Sequence, residues 1–241
     1  MSLVFILEGL RMLLTHKIFH LKDAVEREQY TKNLNDYLSS YSKELNINSV
    51  KISNDEELIF FLKNNPDFKL DPNGYELDNI RGWRYGEIGV FASNFIAWKE
   101  FLNTDSDLVI LMEDDILFEQ DFIPLITEYI KELPSDWDAF FFAVPPGQFH
   151  KHSSHLDVGP NTSKIYQDHW MLCYVLNKKG AVKAIETVAG GVRLPVDWFF
   201  FRQRHIFNSY SIKPQAKTSV SGSPTETTFQ HNQRKIMTID S

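Results

Sequence analysis

Apolar and polar positions alternate along the chain in two different periods. Residues 24–45 and 86–102 repeat apolar side chains every three or four positions, which predicts amphipathic helices. Residues 17–21, 108–112 and 138–144 are short apolar runs of strand length. Because strands alternate with helices, the pattern predicts an α/β layered fold with a mainly parallel central sheet flanked by helices.

Weaker signals complete the predicted order of elements. Asp23 is a candidate N-cap for the first helix. Residues 1–16 form an apolar extension interrupted by charge, and residues 17–241 are expected to form a single domain that ends in a polar tail from Lys213. The other predicted strands are residues 48–53 and 169–177, and residues 66–86 are predicted to be a surface loop. The other predicted helices are residues 55–65, 122–133, 178–189 and 196–205.

Composition narrows the function classes. The net charge of −7 argues against broad nucleic-acid binding, which depends on basic patches. The single Cys173 excludes an internal disulfide and favours a reducing, cytoplasmic setting. No uncharged stretch approaches the roughly 18 residues of a membrane span, although the apolar extension leaves peripheral association with the inner face of a membrane open. The oligomeric state cannot be read from these features.

The run LVILM ends in three consecutive acids, Glu113, Asp114 and Asp115. Ligands of open α/β sheets bind at the carboxyl ends of strands, where these side chains are expected. Two carboxylates about 4 Å apart repel by roughly 4 kcal/mol at an effective dielectric near 20, so a divalent cation, a proton or exposure to water must offset the repulsion. Mg²⁺ or Mn²⁺ fits such oxygen ligands. The alternative is that Asp114 caps the following turn while its neighbours are solvated.

Several separated segments resemble glycosyltransferase family 25, which includes bacterial lipooligosaccharide galactosyltransferases and the collagen galactosyltransferase domain. The most specific are the block Gly86-Glu87-x-Gly89 with the later Ser93 and Trp98, and the Glu-Asp-Asp sequence. The other matching segments are residues 17–29 with Glu26 and Arg27, 174–185, 194–200 and 221–230. The chain departs from the family at two positions, because it has Val90 and Asn94 where the family often has Cys and His.

The resemblance implies a GT-A-like, inverting, metal-dependent enzyme. Such an enzyme would move a hexose, expected to be galactose, from a UDP-sugar to a glycan or a lipid-linked glycan acceptor. Mn²⁺ or Mg²⁺ would neutralise the charge that grows on the leaving diphosphate.

The resemblance also assigns metal and donor residues. Asp115 is the expected direct metal ligand, Asp114 would hold the metal or the donor ribose, and Glu113 would play a less direct part in donor binding. Ser93 and Arg84 are further candidates for donor binding. The candidates for a third metal ligand are His169, His205 and His231.

Two acids are candidate catalytic residues. Asp197 is the expected base that takes the proton of the acceptor hydroxyl, or else it caps the helix that follows it. Glu87 would bind donor or acceptor hydroxyls, or else cap its own helix. The aromatic run Trp198 to Phe201 offers a face for sugar stacking or belongs to the core.

Two other hypotheses compete with this enzyme. The departures at Val90 and Asn94 suggest a non-catalytic relative that binds nucleotide sugars or carbohydrates. The acids alone would also fit an unrelated metal-dependent phosphoryl or nucleotide enzyme.

Overall fold

The computed structural model describes residues 5–7, 10–71, 83–143, 153–165, 172–213, 215–218 and 220–222. Its helices are α1 (Glu28–Leu38), α2 (Asp55–Asn64), α3 (Tyr85–Leu102), α4 (Phe122–Ile130), α5 (Lys178–Ala189) and α6 (Val196–Arg202). Its strands are β1 (Phe5–Leu7), β2 (Leu10–Met12), β3 (Leu14–Phe19), β4 (Lys43–Glu44), β5 (Leu108–Glu113), β6 (Ile116–Phe118), β7 (Ala139–Phe141), β8 (Thr162–Lys164), β9 (Cys173–Asn177), β10 (Ser209–Ile212) and β11 (Val220–Gly222).

Seven strands form the central sheet in the order β4-β3-β5-β9-β7-β10-β8. Five of them, β3, β4, β5, β7 and β10, run in one direction, and β8 and β9 run in the other. Two pairs, β1–β2 and β6–β11, form separate antiparallel sheets. The layered α/β fold is therefore confirmed and is consistent with the GT-A-like type that the resemblance implies, with a central sheet that is mixed rather than wholly parallel.

Strand β5 is covered on both faces, which explains its unbroken apolar sequence. Val109 and Leu111 belong to the core cluster that contains α3, α5 and α6. Ile110 and Met112 belong to the opposite cluster, which contains α1 and α4. The helices thus cover both faces of the sheet and leave its carboxyl end, where the acids follow, to form a site.

The first strand and helix differ from the prediction. Strand β3 begins at Leu14, so the last residues of the predicted extension belong to the central sheet. A 3₁₀ turn at Val25–Arg27 precedes α1, and Asp23 does not cap the helix but pairs with Lys51. Leu34 and Leu38 are buried as predicted.

The predicted strand at residues 48–53 is wrong, because this segment has no regular secondary structure and the preceding strand, β4, ends at Glu44. Strand β7 and helix α6 are confirmed but shorter than expected. In the tail that was predicted to be loop, β11 pairs with β6. Residues 72–82 of the predicted surface loop lie outside the described residues. Among the helices that the structure describes, none is both long and apolar enough to cross a bilayer.

A buried hydrogen-bonded chain joins α3 to β9. The Trp98 Nε1–H group donates to the Tyr174 hydroxyl oxygen at 2.8 Å, and the Tyr174 hydroxyl donates to Asn94 Oδ1 at 2.6 Å. The Asn94 amide nitrogen donates to the Val90 carbonyl at 2.9 Å. Asn94, where the family often has His, therefore has both of its polar side-chain atoms engaged in the core, and Val90 is exposed.

Candidate active site

The acids Glu113, Asp114 and Asp115, which we call the acidic corner, lie where β5 ends and the chain turns into β6. Glu113 is partly buried, and Asp114 and Asp115 are buried. The backbone N–H of Glu113 donates to the Leu172 carbonyl beside β9, which fixes the end of the strand. The corner is therefore rigidly placed and removed from most of the solvent that would otherwise screen its charge.

Two basic side chains hold Asp114. Arg27 Nη1 donates to Asp114 Oδ1 at 2.7 Å, and His20 Nδ1 lies 2.7 Å from Asp114 Oδ2. His20 follows β3 and Arg27 ends the 3₁₀ turn before α1, so the loop after β3 brings both to the corner. Both carboxylate oxygens of Asp114 are thus in contact with a basic side chain, which leaves fewer of its acceptor sites for the predicted metal or ribose.

Asp115 is the less satisfied of the two aspartates. Its Oδ2 lies 3.6 Å from Arg27 Nη1, and its buried Oδ1 has no hydrogen-bond partner among the residues that the structure describes. Burial raises the pKa of Asp115, while the positive charge of Arg27 opposes the rise. A buried carboxylate oxygen without a partner is costly, and a cation or a ligand donor would relieve that cost.

Glu113 and Asp197 are brought together across the site. Burial raises the pKa of Glu113 to about 8, and the negative charge of Asp197 is the next largest cause, followed by those of Asp115 and Asp114. Asp197 lies in the first turn of α6, at the second helical residue rather than at the N-cap, which is Pro195. The structure therefore places the predicted base in the same electrostatic neighbourhood as the acidic corner.

The fit of these residues to a divalent ion rests on Asp115. No group of three or more His, Cys, Asp or Glu side chains in the described part of the chain is arranged to hold a metal. Mg²⁺ needs only one or two carboxylates when a substrate diphosphate supplies further oxygens. The unpartnered Oδ1 of Asp115, beside the partly buried Glu113, fits this limited role.

A cleft of ≈ 800 Å³ lies next to the acidic corner. His20 connects the two, because it lines the cleft and contacts Asp114 of the corner. One wall follows β3 and includes Lys22 and Asp23, and the other follows β4 and includes Asn48 and Lys51. The side chains of Lys17 and Lys32 add further positive charge to the lining. The lining also includes Asp23, Glu28 and Glu44, and Lys17 and Lys51 are paired with Glu44 and Asp23. The cleft is therefore large enough for a small molecule and of mixed charge, with Lys22 and Lys32 as the lysines best placed to meet a phosphate group.

The remaining predicted residues lie elsewhere. The Glu87 carboxylate accepts the backbone N–H of Arg84 at 3.1 Å, which is the helix-capping alternative for Glu87, and Arg84 is the N-cap of α3. The Ser93 hydroxyl accepts the backbone N–H of Val50 at 2.7 Å and is 3% exposed. These contacts give all three residues structural roles, while their assignments to the donor or acceptor stay predictions.

The histidine and aromatic candidates differ in position, and in the aromatic run Trp198 and Phe201 are partly exposed while the two residues between them are not. His205 is exposed after α6, and His169 and His231 lie outside the described residues. Phe199 and Phe200 are buried in the core, where Phe199 stacks on Trp98 at a ring distance of 5.7 Å.

Sequence reasoning missed His20 and did not assign a role to Arg27. The Glu26-Arg27 pair was a visible signal, because it belongs to the segment that resembles the family, but nothing local connects it to acids that are 87 residues away. His20 immediately follows a strand that lies beside β5, so its position at the same end of the sheet was the available clue.

Comparisons of the sequence with known proteins identify the family of this chain. The model of Glycosyltransferase family 25 (LPS biosynthesis protein) matches residues 18–200. Procollagen galactosyltransferase 2 of Homo sapiens is 28% identical over 117 residues, which cover 47% of this chain and 19% of the relative. Procollagen galactosyltransferase 1-A of Xenopus laevis is 26% identical over 151 residues, covering 61% of this chain and 24% of the relative.

The relatives do not share one activity. Probable inactive glycosyltransferase 25 family member 3 of Bos taurus is 28% identical over 120 residues, covering 47% of this chain and 20% of the relative. The matched region spans only about a fifth of the length of these curated relatives. The family model, by contrast, covers most of the described chain, from β3 to α6. This chain belongs to glycosyltransferase family 25.

Proposed function

We propose that the protein is an inverting hexosyltransferase that moves galactose from a UDP-sugar to a hydroxyl of a glycan or lipid-linked glycan. The observation that carries the proposal is the acidic corner, with its unpartnered Asp115 oxygen, beside a cleft lined by lysines in a chain of this family. Galactose and the acceptor are the parts of the proposal that rest on the resemblance, and a cytoplasmic location at the inner face of a membrane rests on the apolar extension and the single cysteine.

The donor diphosphate would lie between Arg27 and the acidic corner. Arg27 carries the positive charge nearest to both aspartates, and its guanidinium is suited to binding phosphate oxygens. His20 connects this position to the cleft, where the nucleoside would extend along Lys22 and Lys51. The residues of the loop after β3 would thus orient the donor, and the acids would define where its diphosphate ends.

Asp115, assisted by Glu113, is the residue that would hold a divalent ion. When bound, that ion would supply Lewis-acid stabilisation of the leaving diphosphate. Asp114 would act through Arg27 and His20, because its oxygens are already bonded to them. Its part is to fix two donor-binding side chains at a set distance from Asp115.

Asp197 would take the proton from the acceptor hydroxyl. General-base catalysis requires a carboxylate within hydrogen-bond reach of the reacting hydroxyl. Asp197 belongs to a different element, α6, and is close enough to the acidic corner for its charge to raise the pKa of Glu113. Without a bound ion, burial and the charge of Asp197 raise the pKa of Glu113 to about 8, so Glu113 would have to release its proton to assist Asp115 with an ion. The base role of Asp197 rests on the resemblance of its Pro-Val-Asp block to the family.

The test is the release of UDP from a panel of UDP-hexoses with Mn²⁺ and acceptor hydroxyls. We expect slow release from UDP-galactose by the wild type and loss of that release in Asp115→Asn. The matched control is Asp36→Asn, which changes an exposed carboxylate on α1 and should leave turnover unchanged. Release of UDP by Asp115→Asn at the wild-type rate would contradict the proposed role of the corner.

The second candidate is a non-catalytic binding protein of the same fold. It is favoured by the relatives that are named inactive, such as glycosyltransferase 25 family member 3 of Homo sapiens. The pairing of Asp114 with two basic residues also stabilises the corner without a metal. Calorimetry that detects UDP-galactose binding, together with no transfer to any acceptor, would support this candidate over the enzyme.

A further inference from the structure

One wall of the cleft lacks regular secondary structure. Residues 47–52 run between β4 and α2, and their side chains Ile47, Asn48, Ser49 and Lys51 line the cleft. A segment of this kind has no ladder of hydrogen bonds to fix its position. Something outside the segment must therefore hold it if the cleft is to keep its shape.

Helix α3 supplies that support at Ser93. The Ser93 hydroxyl accepts the backbone N–H of Val50 at 2.7 Å and donates to the Gly89 carbonyl, one turn earlier in the helix, at 2.9 Å. Ser93 is 3% exposed and does not line the cleft. Its hydroxyl thus joins the helix to the backbone of the cleft wall.

Gly89 allows the wall to approach the helix this closely. A Cβ atom at this position would lie 3.0 Å from the Val50 carbonyl oxygen and 3.3 Å from the Ile52 backbone nitrogen. Only a residue without a side chain avoids that crowding. Gly89 and Ser93, one helical turn apart, therefore form a seat for the backbone of residues 50–52.

We propose that Ser93 is a positioning residue, which holds the wall at residues 47–52 against α3 and so sets the affinity of the cleft for the nucleoside part of the donor. This proposal deepens the proposed function and rests on it. Ser93 would act on the donor through the backbone of Val50, not by touching it.

The opposite wall depends on the same seat. Lys51, the residue after Val50, forms an ion pair with Asp23 at 2.5 Å, and both residues line the cleft. Because this pair is half exposed, it contributes little stability of its own and does not replace the hydrogen bond of Val50 in holding the wall. A shift of Val50 would therefore change both the wall and the contact that closes the cleft.

Ser93→Ala tests the proposal, with Thr127→Ala as the matched control. Thr127 is 3% exposed and donates to the Ile123 carbonyl one turn earlier in α4, but it binds no loop backbone. We expect Ser93→Ala to weaken the binding of UDP with Mn²⁺ by about tenfold, since the Val50 N–H loses its partner, and Thr127→Ala to leave it unchanged.

Hydrogen exchange separates this proposal from the proposed function. The Val50 amide should exchange slowly in the wild type and in Thr127→Ala, and much faster in Ser93→Ala. Gly89→Ala should weaken UDP binding in the same direction by displacing the wall. Unchanged exchange of Val50 in Ser93→Ala, or unchanged UDP affinity in both α3 variants, would overturn the positioning role. Failure of the wild type to bind UDP would instead overturn the proposed function and the nucleotide part of this proposal.

Discussion

Replacing Glu113 with Gln should stabilise the protein at alkaline pH. Glu113 has an ordinary pKa of 4.5, and burial among other acids raises it to about 8 in the folded state. Below pH 4.5 both the folded and the unfolded protein carry this proton. As the pH rises from 4.5 to 8, the unfolded state loses the proton first, so the wild type is progressively destabilised.

The size of the effect follows from the same values. Each unit of difference between the folded and unfolded pKa of Glu113 is worth about 1.4 kcal/mol. Above pH 8 the charged Glu113 therefore destabilises the wild type by at most about 5 kcal/mol. Glu113 is only partly buried, so water can relieve some of the cost of burying its charge. We therefore expect Glu113→Gln to raise the free energy of unfolding at pH 8 by about 1–3 kcal/mol. The gain should vanish near pH 4.5, where the wild-type residue is also neutral.

The assay is urea denaturation of wild type and Glu113→Gln at pH 4.5, 6 and 8. Glu186→Gln, which neutralises an exposed acid on α5, is the control and should change the free energy of unfolding by less than about 0.5 kcal/mol. Glu113→Gln should also lose donor turnover, since functional sites often retain groups that reduce stability. A variant that is no more stable at pH 8, or whose difference from the wild type does not change with pH, would refute the reasoning.

Three further predictions test other contacts. Arg27→Gln should lower the free energy of unfolding by about 3 kcal/mol, because it leaves buried carboxylates unpaired. The control Arg193→Gln, in an exposed ion pair, should lower it by less than about 1 kcal/mol, and equal losses in urea denaturation would contradict the account. Tyr174→Phe should cost about 1–3 kcal/mol in the same assay by leaving two buried partners unsatisfied, and a neutral result would be contrary to expectation. Burial lowers the pKa of His16 from 6.5, so the unfolded state takes up the proton first and the free energy of unfolding should fall as the pH drops below 6.5. His16→Gln should remove that part of the pH dependence when unfolding is followed between pH 7 and 5.

The sequence predicted β5 and its acids well because their signals are local. A continuous apolar run of strand length is typical of a strand that is covered on both faces, and the acids follow it directly. The helical period of α3 likewise depends only on the spacing of its own residues, although the structure buries this helix on most of its faces and not along one stripe alone. The resemblance added Asp197, whose distance from Glu113 in the sequence would have concealed their proximity.

Contacts between distant segments could not be predicted in this way. The partners of Asp114 come from the loop after β3, and no periodicity pairs an acid with a base across the sheet. The wrong strand at residues 48–53 has the same cause. Val50 and Ile52 give the alternation of a strand, but the Val50 N–H bonds to Ser93 of α3 instead of a neighbouring strand.

Calorimetric titration of UDP-galactose into wild type and Asp115→Asn, with and without Mn²⁺, tests the central claim most directly. The account predicts that the wild type binds the donor much more tightly with Mn²⁺, and that Asp115→Asn abolishes this difference while the variant remains folded. Equal affinities for the two proteins, or no binding by the wild type under any condition, would contradict it.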